Sequence, residues 1–227
     1  MTVAVFRVIL AAIVFAGAAH AQDVNSTGPG AAIEDVQKAF DSTRAMKASF
    51  SQTITSKGFG QDRAGEGVMW LQKPAKMRWE YSNPPGLVIV ADGERLWYLD
   101  KEENSLYTEP LSGILNQSSP LMFLAGEAPL EETFRVSVIP GSANDRGDVL
   151  KLKLLPVDPQ PGLKGILLKV DSKTYNIKEI LMVDHLGNRN SISFSEVEIS
   201  AFLDPAIFGF TPPEGVQIQP SIKGFGP

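Results

Sequence analysis

Two histidines and no cysteine are all that this 227-residue chain offers for imidazole or thiolate chemistry. His20 falls in the N-terminal leader described below, which leaves His185 alone in the mature chain. Without cysteine there can be no thiolate metal site, no disulfide and no sulfur nucleophile. One imidazole cannot build a histidine-based zinc cluster within one chain. A Ser–His–Asp triad would have to run through His185, which sits in Asp184-His185-Leu186-Gly187-Asn188, a hairpin-turn sequence. A catalytic base needs an orienting acid and a nucleophile within reach, and a turn imidazole is usually just solvated. The residues therefore argue against an enzyme of lipid metabolism, and no cofactor is expected.

What remains is the chemistry of apolar surface. Gly65–Tyr81 reads GEGVMWLQKPAKMRWEY and holds two of the three tryptophans, with the third close behind in Leu96-Trp97. Aromatic and branched residues suit a pleated, half-buried surface. Lys73-Pro74 and Asn83-Pro84-Pro85-Gly86 break the runs, and Asp92-Gly93 is a hairpin signal. The stretch reads as a four-stranded meander with large apolar side chains on both faces. Both faces need covering, by protein or by a ligand.

The ends and the charge narrow the setting. Arg7, the apolar run Val8 to Ala18 and the small residues of Ala19-His20-Ala21 form a secretory leader, residues 1–21, leaving a mature chain that begins near Gln22. No cysteine follows the cleavage site, so no lipid anchor is expected there. The whole chain carries a formal charge of −5, and losing Arg7 makes the mature protein more negative still. That balance argues against nucleic acid and against adsorption to anionic headgroups. About 200 residues then remain for a single β-rich domain over 22–220, with a tail at 221–227 that reads as disordered.

Along the chain, Ile33, Val36, Phe40 and Thr43 recur at helical spacing from Ala31, with Glu34 and Asp35 placed in the first turn. Strand patterns follow, among them Leu150, Leu152 and Leu154 alternating with Lys151 and Lys153. Short links exclude βαβ crossovers and predict an antiparallel, strongly curled sheet of about eleven strands. Ser118–Gly126 carries a capping serine, a first-turn proline and a stopping glycine, and predicts a short, very apolar second helix that must be enclosed. The fold expected is mainly β with α: an unclosed antiparallel half-barrel whose concave face is covered by helices.

Phe50-Ser51-Gln52, Trp70-Leu71-Gln72-Lys73-Pro74, Arg78-Trp79-Glu80-Tyr81, Asp92-Gly93 with Leu96-Trp97, Ser119-Pro120, Ile192-Ser193-Phe194 and Phe208–Val216 follow one another in order and spacing. The ordered set resembles the LolA family of periplasmic outer-membrane lipoprotein carriers over nearly the whole mature chain. The resemblance implies a periplasmic, monomeric carrier that hydrolyses nothing. It would take acylated lipoproteins from an inner-membrane ABC transporter and hand them to an outer-membrane receptor, where one exists. The same scaffold also serves lipid-binding or lipoprotein-sensing regulatory proteins, usually with a second domain, so fold alone does not choose between these roles.

The resemblance also implies site residues. Val36, Phe40, Trp79, Ile89, Leu121, Met122 and Leu124 are the expected lipid-binding wall and lid, each with ordinary core packing as its alternative. The family carries an arginine before the proline, linked to holding the lid closed; here Lys73 stands there, keeping the charge but losing the planar donor fork. The family's exposed aromatic in the next strand becomes Met77, a flexible side chain suited to an adaptable partner contact. In this reading one side of the tryptophan-rich strands packs the barrel and the other lines a lipid cavity. Leu124→Glu is expected to block cargo uptake with little loss of fold. Unfolding of that variant by circular dichroism would instead make Leu124 ordinary core.

Overall fold

The computed structural model of the chain describes residues 28–58, 62–111, 130–139, 148–160 and 162–219. The chain opens with α1 (Pro29–Ser42). Six strands follow in a meander: β1 (Ala45–Thr55), β2 (Arg63–Gln72), β3 (Lys76–Asn83), β4 (Leu87–Asp92), β5 (Arg95–Asp100) and β6 (Ser105–Pro110). A single helical turn, α2 (Leu130–Thr133), leads into β7 (Phe134–Val138). A second meander then runs through β8 (Val149–Pro156), β9 (Gly165–Asp171), β10 (Ile177–Val183) and β11 (Arg189–Ser200). A 3-10 turn, Pro205–Phe208, precedes the last strand, β12 (Gln217–Gln219).

All twelve strands form one sheet in the order β12-β6-β5-β4-β3-β2-β1-β11-β10-β9-β8-β7. Its end strands, β12 and β7, do not pair, so the barrel stays open. The expected half-barrel is present, with one difference. β12 lies parallel to β6, pairing Gln217 with Ser105, which makes the sheet mixed. Three residues, Gln217-Ile218-Gln219, carry too little pattern for strand recognition, and only the neighbouring edge recruits them.

Register sorts the side chains. Phe194, Phe50, Gly67 and Tyr81 form one row across four strands, and Ala48, Met69, Trp79, Ile89 and Tyr98 the next. These rows belong to the concave face, which holds the main core together with Leu152, Leu154, Ile166, Leu168, Ile180 and Ile192. The expected second helix over Ser118–Gly126 lies outside the described residues. α1 begins at Pro29, two residues before the expected start, so Glu34 and Asp35 sit beyond its first turn. Pro29 needs no amide partner there and is preset for helix.

The convex face of β3–β6 is also covered, though not by a cavity. Val90, Leu99, Leu106 and Phe208 are buried there, apart from the main core. Trp97 stacks on Phe210 with centroids 5.3 Å apart. Arg78 donates to the Ile207 carbonyl at 3.2 Å and pairs with Glu80 at 2.6 Å. The C-terminal segment thus takes up the apolar surplus of this face. The reading that gave barrel packing and cavity to opposite faces is corrected: both belong to the concave side.

Glycines of the opening motif allow close approach. Phe50 on β1 and Tyr81 on β3 touch edge-to-face at 4.9 Å across the intervening Gly67. The Tyr81 hydroxyl reaches over Gly65 to donate to Gln52 Oε1 at 2.7 Å. A Cβ on Gly67 would lie 2.0 Å from the Glu80 carbonyl oxygen, at the irregularity between β2 and β3. Backbone there cannot give way cheaply. Gly67→Ala is therefore expected to destabilise the fold by about 2 kcal/mol. A urea midpoint unchanged from the wild type would show that β3 can shift freely.

Candidate functional site: an apolar pocket beneath the first helix

The pocket lies at the end of the half-barrel where α1 hands over to β1. It is an open depression with about 530 Å³ of unfilled space, solvent at its mouth included, and Val36, Phe40, Met46, Leu71, Leu130 and Leu168 contribute apolar walls. Val36 and Phe40 come from the buried stripe of α1, one turn apart. Val197 and Ile199 complete the wall from β11, and they reach it only through a bulge. Ile192 and Phe194 face inward at even positions, so an unbroken strand would point Glu196 and Glu198 into the pocket. Glu196 instead adopts φ 51°, the register against β1 shifts, and the odd positions turn inward. Ser49 Oγ donates to the outward Glu196 carboxylate at 2.8 Å. The switch of apolar phase from 192 and 194 to 197 and 199 was readable in the sequence and was missed.

Polar contacts hold α1 over the pocket. Lys73 Nζ donates to the Phe40 carbonyl at 2.5 Å and stands 3.6 Å from the centre of the Phe40 ring. That carbonyl belongs to the last turn of α1, where intrahelical partners run out and a cation is favoured. Gln37 Oε1 accepts from the Leu130 amide at 2.8 Å. Tyr175, in the β9–β10 turn, hydrogen-bonds Asp35; burial and that carboxylate both push its phenol up. Thr43 closes the helix end, its amide donating to the Ala39 carbonyl at 3.1 Å.

The structure brings Val36, Phe40 and Lys73 together at this pocket. Trp79 and Ile89 pair with each other deeper on the concave face and do not line it. Leu121, Met122 and Leu124 lie outside the described residues. Met77 corrects its expectation: it is 2% exposed, paired with Leu71 and Ala91 on the concave face. Alternation along β3 from the inward Trp79 turns Met77 inward too, so this position offers no exposed contact surface. His185 is exposed in its turn, its Nε2 donating to the Gln160 carbonyl at 3.0 Å. Among the described residues no group of three or more histidines, cysteines or carboxylates could hold a metal ion. No described helix is long and apolar enough to cross a membrane.

Residues 41–211 match the family of the outer membrane lipoprotein carrier protein LolA. The chain belongs to the LolA family. LolA carriers are non-enzymatic transport proteins, and lipoprotein is their cargo. The outer-membrane lipoprotein carrier protein of Chromobacterium violaceum is 30% identical over 94% of this chain and 96% of its own. That of Methylibium petroleiphilum is 31% identical over 93% and 97%. Among solved structures, a conserved protein from Thermus thermophilus superposes with a TM-score of 0.53 at 10% identity, covering 85% of this chain and 98% of its own. That likeness concerns the fold alone.

Lys73 gives this LolA chain a titratable contact. Burial lowers its ammonium to about 8, against the pull of Asp41, which raises it. Between pH 8 and the ordinary lysine value near 10.5 the unfolded chain then binds more protons than the folded one. Stability contributed by this group must rise with pH across that window. The difference in urea midpoint between the wild type and Lys73→Arg, which stays charged, is expected to shift in favour of the wild type from pH 7.5 to about 9.5. A difference independent of pH would place the Lys73 ammonium in water.

Proposed function

We propose that this chain accepts acylated lipoproteins from an inner-membrane ABC transporter, shelters their acyl chains against its concave face beneath α1, and delivers them to the outer membrane. The mature chain, from about Gln22, works in the periplasm as a monomer. The observation that carries the reading is an apolar pocket whose roof, α1, is tied down by a few side-chain contacts. Such a roof can lift without unravelling the sheet. Lys73, seated on the last turn of α1, serves as the latch.

Energetics favour this arrangement. Each buried methylene is worth about 0.8 kcal/mol, so one long acyl chain represents roughly 10 kcal/mol of transfer free energy. Unshielded passage through water would be negligible. A carrier must also release its cargo, so binding has to be moderate, and a helix that exchanges its own apolar stripe for an acyl chain offsets much of the gain. With the roof closed, Val36 and Phe40 occupy the space the cargo needs.

Incubation with spheroplasts making a tagged lipoprotein is expected to release that lipoprotein into a soluble one-to-one complex. Lipoprotein that stays entirely in the membrane pellet would reject the carrier role.

A further inference from the structure

The tryptophans differ in what becomes of their indole N–H. Trp97 Nε1 donates to Asp92 Oδ2 at 2.8 Å. Trp70 is half-buried on the convex face. Trp79 is 2% exposed on the concave face, and its Nε1 has no hydrogen-bond partner among the described residues. Its aromatic neighbours, Phe50 at 4.7 Å and Phe194 at 6.4 Å, offer at most a π face, a weak acceptor.

A buried donor left unmade costs the full desolvation of its group, and native structures carry few of them. Ser105 Oγ is also buried and unpaired, but a hydroxyl can rotate toward whatever is near. An indole N–H points one way. Its position is informative as well. Met46 and Leu71 wall the pocket, and the row Ala48, Met69, Trp79 lies two residues further along the same strands, roughly 7 Å inward. Ala48 and Met69 are the register partners of Trp79 in that row, and both are buried. Hydrocarbon cannot satisfy an N–H; on an acyl group the linkage carbonyl can.

We propose that Trp79 Nε1–H is a cargo-reading donor, which hydrogen-bonds the linkage carbonyl, ester or amide, of an acyl group seated on the concave face. This rests on the carrier reading above and makes it more specific: the cavity recognises an acyl linkage rather than any greasy chain, and the bond sets how deeply the linkage enters. The apolar walls supply affinity that is blind to chemistry. Trp79 supplies the discrimination.

Two lipids that differ only in that carbonyl test it: monopalmitoylglycerol and its ether counterpart, hexadecylglycerol. Competitive displacement of a fluorescent fatty acid from the full chain is expected to show the ester binding about fivefold tighter than the ether. Trp79→Phe should abolish the ester's advantage, so that the ratio of ester to ether affinity falls to about one whatever the variant does to apolar binding as a whole. A second readout needs no change at Trp79. In NMR spectra the Trp79 indole N–H resonance, assigned by elimination with Trp70→Phe and Trp97→Phe, should move downfield with the ester and not with the ether. Equal affinities, or a preference that survives Trp79→Phe, would overturn the proposal and leave the carrier role standing, as would an indole resonance the ester does not move. If neither lipid displaces the probe, the carrier reading falls, and this inference with it.

Discussion

The pairing of β1 with β11 is the contact on which the rest of the molecule depends. Every other antiparallel pair in the sheet joins strands adjacent in sequence, whereas this one joins the first strand to the eleventh. It brings the two meanders into a single sheet, and it sets Phe50 beside Phe194 on the concave side. These are also the two longest strands, at 11 and 12 residues. Length is what such a long-range closure requires, because the entropy of bringing distant segments together is lost before the pairing returns anything. The bulge at Glu196 lies within this same ladder. One irregularity therefore shapes the pocket wall at the seam that assembles the sheet.

An unclosed sheet leaves an apolar concave face that must be covered. α1 contributes to that cover through a narrow stripe, Val36 and Phe40, while its flanks are held by polar contacts. Apolar burial has no direction, so the stripe fixes that α1 lies on this wall without fixing how it is oriented there. The hydrogen bonds to Lys73, Leu130 and Tyr175 are directional, and they define the position of α1. A lysine suits such a contact: it is a compact point charge on a flexible stem, where an arginine would present a rigid fork. Phe208, Phe210 and the Arg78 contacts hold the C-terminal segment against the convex face of β3–β6.

Much of this was legible in the residues. Period-two alternation located the strands because a sheet with one packed face imposes it on each strand separately. The apolar stripe of α1 and the glycine, proline and aspartate turns were legible for the same reason, since each is decided within a few residues. Lys73 could be singled out by the family resemblance, which carries an arginine at the position before Pro74. Its hydrogen bond to the Phe40 carbonyl could not be, because Phe40 and Lys73 meet only once α1 has been laid over β1 and β2. Met77 shows the opposite failure. The family resemblance placed an exposed contact residue at this position, but alternation with Trp79 turns Met77 into the core.

The sequence by itself determined the class of molecule: no thiolate or disulfide chemistry, a curled sheet built from local hairpins, and more apolar surface than one face can bury. Those properties follow from residue type and short-range spacing. Tertiary structure alone decided which face would be the cavity and which would be sealed by the C-terminal segment, since alternation distinguishes two faces without saying what lies over either. It also decided that Val197 and Ile199 would point inward, that β12 would run parallel to β6, and that the Trp79 N–H would be buried without a partner. Each depends on what distant parts of the chain bring to the same place, and no local pattern carries that information.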